Sequence, residues 1–332
     1  MHPISLRDAA SYLPQAVVDN GYYGQEMLDG LPPVFRGTRL RHHIAPGERA
    51  ADMIARAAQK LITRQSLRAE RDIDLLFTNV SLPDEPIGGC GAVVARLIGA
   101  RPRHIIDMAN GGCVSFLFML EQARAMFTAT GARSALICNA QTAAGRIFSH
   151  PANRRLPQSA LPGDGAGVAY LVADDSAPLL TLRTHAYPEH AEEMGLHAPG
   201  RDWWEPGHGA LTLDLSPPKL ATMVCRGSRL VPAVMQEVLD EIGKGAADVD
   251  GLITNQPNRT LLRTWREALR LAPEQHIHTF DEHGNLFGAA MPIALERARD
   301  EGLLDPGDLV LLGGFSNAGD YAAAAALRWP PC

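Results

Sequence analysis

Three things are scarce in this chain, and each scarcity excludes a class of protein. No stretch of the 332 residues runs to about eighteen apolar positions without interruption, and the N-terminal "MHPISLRDAASYLP" lacks the charged-then-apolar order of a secretory signal. No membrane span and no export are expected. Basic charge is also short, with 31 Lys and Arg against 37 Asp and Glu and a net charge of -6, so no nucleic acid partner is expected. Cysteine is sparse and odd in number: Cys90, Cys113, Cys138, Cys225 and Cys332 form no CxxC pair. That excludes a disulfide framework and a zinc site, and points to a reduced, cytoplasmic protein without a metal. What is abundant is apolar material. At 46% hydrophobic and 20% charged residues, the chain can bury one large core or two medium ones.

Helical and strand patterns alternate along it. "RAADMIARAAQKLI" (residues 49–62) carries an apolar stripe at Met53, Ile54, Ala57, Ala58, Leu61 and Ile62, and "DIDLLFTNV" after it is a buried run of strand length. The same order returns later. "LVPAVMQEVLDEIGK" (residues 230–244) is helical and is followed by "DVDGLITNQ", which lies over the earlier strand 176 residues further on. A second pair sits at nearly the same offset: "HIIDMANGGCVSFLF" and "HIHTFDEHGNLFGAA" are 172 residues apart, each reading as strand, turn and helix. The turns hold Cys113 and Asn285. Buried strands "ALICNA" and "LVLLGGF" follow in turn, so the chain reads as a duplicated α/β unit divided near "LVADDSAPLL", into residues 1–174 and 175–332.

Cys113 has two readings. A free cysteine is most often a small buried hydrophobe. Its place between Gly111-Gly112 and the helical run "VSFLFMLEQARAMF" argues for a nucleophile on a sharp turn, at a helix N-terminus that favours the thiolate and lowers its pKa.

Over nearly its whole length the sequence resembles the condensing enzymes of the β-ketoacyl-ACP synthase III type. The resemblance rests on "GGC" at Cys113, "GDGAG" at residues 163–167, "HGN" at residues 283–285 and "GDLVLLGGF" at residues 307–315, with "YLPQAVVDN" and "RGTRLRHHIAPGE" near the start. It implies the thiolase fold, duplicated halves in an α-β-α-β-α five-layer arrangement, with the nucleophile in the first half and Asn255 and Asn285 in the second. It implies further that Cys113 takes an acyl group from acyl-CoA or an acyl carrier protein without a cofactor. Backbone N–H groups of Cys113 and of the loop through Ser316 would hold the oxyanion, and a homodimer, or a heterodimer with a homologue, is expected to bury "ALICNA" against its twin. "GDGAG" itself reads as a tight turn feeding a strand.

One position departs from the family pattern. Where relatives carry "HQAN", this chain has "NQPN", so Asn255 stands in place of the family histidine. An amide still donates a hydrogen bond but does not exchange a proton near neutral pH. His283 reads as a turn or supporting residue, and Asp320 as a candidate acid that would act with a histidine. By the same resemblance Arg154, Arg155 and Arg259 are candidates for CoA phosphates or an acidic carrier. Trp203 and Trp204 read as lid or packing residues. Two functions stand open: an acyltransferase of polyketide- or fatty-acid-derived specialised metabolism, and a degenerate non-catalytic subunit paired with an active homologue.

Overall fold

A computed structural model describes residues 3–24, 28–203, 205, 210–213 and 217–331. Two β-sheets carry the chain. Strands β1 (Ser5–Tyr12), β4 (Leu75–Val80), β5 (His104–Asp107), β6 (Ser134–Gln141) and β7 (Gly165–Val172) form a sheet of order β1-β7-β6-β4-β5. Strands β8 (Leu179–Ala186), β11 (Gly251–Thr254), β12 (Leu309–Ser316) and β13 (Tyr321–Arg328) form the second, of order β11-β12-β13-β8. Outside them lie two small ribbons, β2 (Ala16–Asp19) with β3 (Leu40–His43) and β9 (Leu196–His197) with β10 (Thr212–Leu213).

The second sheet repeats the first. In each, two inner strands run parallel, β4 with β6 and β11 with β12, and the outer two add antiparallel. The fifth place differs, because β5 has its counterpart in a single parallel bridge between Leu252 and His276 rather than the strand expected there. These inner strands are apolar on both faces, the pattern of strands covered by helices on both sides.

Helices Ser115–Thr130 and Ala290–Asp300 lie between the sheets, and their apolar residues join both in one core through Phe116, Leu120, Met291, Leu295, Ile137 and Leu312. The helix Ala50–Arg64 covers the outer face of the first sheet with the stripe read from the sequence. Helices Pro217–Glu241 and Arg259–Ala268 cover the outer face of the second. The result is five layers, helix, sheet, helix, sheet, helix. Among the described residues, no helix is long and apolar enough to cross a membrane.

One expectation is corrected here. Strand β6, which contains "ALICNA", is hydrogen-bonded on both sides, to β4 and to β7, so its backbone has no edge to offer a twin. The free edge on that side of the sheet is β5, where Ile105 is exposed.

Candidate active site

The turn into the central helix is built by glycine. Gly111 and Gly112 have φ of 86° and 44°, in the left-handed region that other residues rarely adopt. A Cβ on Gly112 would lie 2.8 Å from Asn317 Oδ1, so the bare backbone also lets the loop after β12 close over the turn. Cys113 follows in a short 3-10 turn, Gly112–Val114, and the helix Ser115–Thr130 continues from it.

The second half brings amides to the sulfur. The Asn255 side chain, the Asn317 backbone N–H and the N–H of Cys113 itself lie near enough to the Cys113 sulfur to favour its charged form. Asn255 is held rigidly: its Nδ2 donates to Phe315 O at 3.0 Å and its Oδ1 accepts from Phe315 N at 3.3 Å. Gly314 makes room for this clasp, since a Cβ there would lie 2.3 Å from Asn255 Oδ1. Asn285 joins the same cavity, its Oδ1 accepting from Phe287 N at 3.0 Å, which leaves its amide Nδ2 as the donor available to a ligand.

Two motifs that are separate in sequence form one support beneath Asn285. Asn285 N donates to Leu161 O at 2.8 Å and Gly163 N donates to Asn285 O at 3.1 Å, so the approach to "GDGAG" and the "HGN" segment pair backbone to backbone. The glycines permit it: a Cβ on Gly163 would meet His283 O at 2.0 Å, and one on Gly284 would meet Leu161 O at 2.4 Å. Asp164 anchors the turn by accepting from Ile44, Ala144 and Gly145 N–H groups at 2.7–2.8 Å.

The thiol differs from expectation. Burial pushes the Cys113 pKa up to about 12, outweighing the hydrogen bonds from Asn317 and Asn255, while the Asp320 charge adds to the rise. The turn at the helix start does lead the thiol toward backbone N–H groups, but the cost of charging a buried sulfur is larger. Among the described residues, no histidine, lysine or arginine lines the cavity around it.

The other candidates occupy different places. His283 lies outside the cavity with its ring 5.2 Å from that of His42, and burial pushes its pKa down to about 4. Asp320 accepts from Ser316 Oγ and Asn317 Nδ2, each at 2.9 Å, and so braces the loop beside Cys113; among the described residues, no histidine lines the cavity it faces. Arg259 flanks the cavity mouth, paired with Asp281 at 2.5 Å, next to Asn258, whose side chain caps the helix Arg259–Ala268. Arg154 stacks over Tyr22, Arg155 is exposed, and neither lines the cavity. Trp203 is exposed, and Trp204 lies outside the described residues.

Sequence reasoning missed the wall opposite. Met194, Leu213, Leu220, Met223 and Val224 close the cavity of about 90 Å³, and only the helical spacing of the last three gave any signal.

Comparison with known proteins agrees with this geometry. Residues 106–188 match the family described as 3-oxoacyl-acyl-carrier-protein (ACP) synthase III, and residues 239–329 match its C-terminal part. The β-ketoacyl-acyl-carrier-protein synthase III of Sphingopyxis alaskensis is 29% identical over 320 residues, covering 94% of this chain and 96% of its own. Synthase III 2 of Deinococcus radiodurans is 28% identical, covering 98% and 94%. The crystal structure of the 3-oxoacyl-(acyl carrier protein) synthase III from Pseudomonas aeruginosa PAO1 superposes with a TM-score of 0.86 at 26% identity, covering 99% of this chain and 98% of that one. With its glycine turn at Cys113, its duplicated sheets and both family segments in place, the chain belongs to the 3-oxoacyl-ACP synthase III family of the thiolase fold.

Proposed function

We propose that the protein is a ketosynthase III-like acyltransferase that loads an acyl group from acyl-CoA or an acyl carrier protein onto Cys113 and passes it to a carbon, oxygen or nitrogen nucleophile. The observation that carries this reading is the Cys113 thiol in the wall of an apolar cavity that Asn255, Asn285 and Asn317 also line. In loading, a bond forms between the Cys113 sulfur and the acyl carbon while the donor's C–S bond breaks. The Cys113 proton leaves on the donor thiol, and the N–H groups of Asn317 and Cys113 meet the tetrahedral oxyanion. Asn255 and Asn285 then hold the carbonyl of the acceptor. Without an imidazole, an already activated acceptor suits this site better than a malonyl extender that must lose carbon dioxide, which favours specialised over primary fatty-acid metabolism.

Arg259, Arg263 and Arg266 line a second depression beside the mouth, together with Arg36. Such a stripe suits CoA phosphates or the acidic face of a carrier protein, the partner for which the relatives are named. A homodimer in the cytoplasm, joined along the free edge of β5, completes the reading. Two observations favour the non-catalytic alternative, namely the absence of a basic side chain from the cavity lining and the raised thiol pKa. Intact-protein mass spectrometry after incubation with acyl-CoA and acyl-ACP panels separates the two. An adduct on Cys113 is expected; no adduct with any donor would leave the scaffold reading.

A further inference from the structure

Behind the glycine turn lies a second cavity, of about 370 Å³ against about 90 Å³ for the one that holds Cys113. Phe148, Met194, Leu213, Phe287 and Asn317 line both, so the two spaces meet around the nucleophile. Gly111 and Gly112, the two residues before Cys113, form part of the second wall.

The walls differ in chemistry. Valine, leucine, methionine and phenylalanine dominate the first, whereas the second includes Asn79, Ser81, Asn110, Asp320 and Tyr321. Most of these are engaged. Asn79 donates to Met108 O and Asn110 O and accepts from Ser115 Oγ, and Ser81 Oγ donates to Gln141. Asp320 differs. It is 7% exposed, and its two oxygens accept one hydrogen bond each, from Ser316 and Asn317, while among the described residues no lysine, arginine or histidine lines the cavity. A carboxylate has about four acceptor positions, and a buried one without a cation is costly unless those positions are filled. A plain alkyl chain filling this space would displace water from Asp320 and return nothing. A chain bearing a hydroxyl or an amine would return a charge-assisted hydrogen bond.

We infer that the second cavity receives the chain of the acyl group on Cys113, and that Asp320 selects chains carrying a hydrogen-bond donor near the thioester carbonyl. The inference rests on the loading reaction proposed above and adds no chemical step to it. While the acyl chain occupies the second cavity, the first stays open for the leaving donor and the incoming acceptor.

The test compares loading rates of N-acetylcysteamine thioesters of butanoate, 3-hydroxybutanoate and β-alanine, read by intact-protein mass. The wild-type protein should load the hydroxy or amino acyl group about tenfold faster than butanoyl, the scale of one hydrogen bond to a charged group. Which of the two leads identifies the donor as hydroxyl or ammonium. Asp320→Asn should bring the ratio of the rates close to one. Butanoyl loading as fast as the others in the wild type overturns the inference and leaves the acyltransferase intact. A preference that survives Asp320→Asn, or an equal fall for all three thioesters, overturns the role of Asp320 and reduces it to a brace for the loop. No loading from any thioester overturns the loading reaction itself.

Discussion

The two halves put an asparagine at the same point and use it in opposite ways. Asn79 lies at the end of β4, where the register sets it opposite Asn139. Its amide donates to Met108 O and Asn110 O and accepts from Ser115 Oγ, which also receives Asn139 Nδ2, so it is spent on the scaffold below the nucleophile turn. Asn255 follows β11, and the same register continued sets it opposite Gly314, where a Cβ would lie 2.3 Å from its Oδ1. Its side chain therefore lies flat along β12, clasps Phe315 and still reaches Cys113. One residue on the neighbouring strand, asparagine or glycine, decides whether the amide supports the turn or faces the sulfur.

The largest effect is expected at the sulfur that both halves surround. Cys113→Ala should abolish acyl loading while leaving the fold intact, because among the described residues the cavity wall holds no other covalent acceptor. Full transfer activity in that variant, measured with the donor that loads the wild type, would sink the proposal.

The second prediction tests the comparison directly. Gly314→Ala should drive the Asn255 amide off its clasp and slow transfer from Cys113 to the acceptor by about a hundredfold, the scale of losing one preorganised donor. Asn79→Ala should instead leave the transfer rate within about threefold and lower stability by about 1–3 kcal/mol, the cost of a broken buried hydrogen-bond network. Denaturant midpoints and single-turnover transfer rates separate the two; equal losses of activity in both variants would mean that the asparagines do the same job.

The duplication that frames this comparison was legible in the sequence because its carriers are local. Apolar periodicity fixed the helix–strand order, and the offsets of 176 and 172 residues aligned Asn79 with Asn255 and Cys113 with Asn285. Their division of labour was not legible, since it depends on which residue the neighbouring strand presents across some sixty positions of chain. Edge strands were hidden for the same reason: β6 looked available for a twin until β4 and β7 were seen to flank it. The direction of the Cys113 shift failed differently. A turn at a helix start argues for a thiolate, but only the packed structure shows that burial is the larger effect. The wall from Met194 to Val224 comes from segments with little period of their own, and it became visible only through long-range contact.

A smaller change is expected from placing an imidazole at this point. Asn255→His should leave Cys113 loading largely as it is and raise malonyl decarboxylation about tenfold or more, the lower range for acid–base assistance. Asn79→His, at the equivalent point, should raise it not at all. Carbon dioxide release from malonyl-ACP reads both variants. If the wild type already decarboxylates as fast as Asn255→His, the amide alone suffices for the chemistry.

The smallest effect separates another matched pair, His104 and His276. His104 begins the edge strand β5 and is exposed, whereas His276 is buried at the bridge that takes the strand's place, with Nε2 3.0 Å from Thr254 Oγ1. Burial, then the neighbouring His278, pushes the His276 pKa down to about 3 from an ordinary 6.5. The sign follows from proton counting. Below pH 6.5 the unfolded chain binds a proton at this position that the folded chain refuses, so its contribution to stability is full above pH 6.5 and falls as pH drops toward 3. At pH 5 the loss from this one group is about 2 kcal/mol. Urea unfolding at pH 7 and pH 5 should therefore show a smaller acid loss in His276→Asn than in the wild type, by about that amount, with His104→Asn behaving as wild type. Equal acid losses in all three proteins would mean that the buried ring is free to protonate in the folded state, and that burial of this strand remnant carries no linkage to pH.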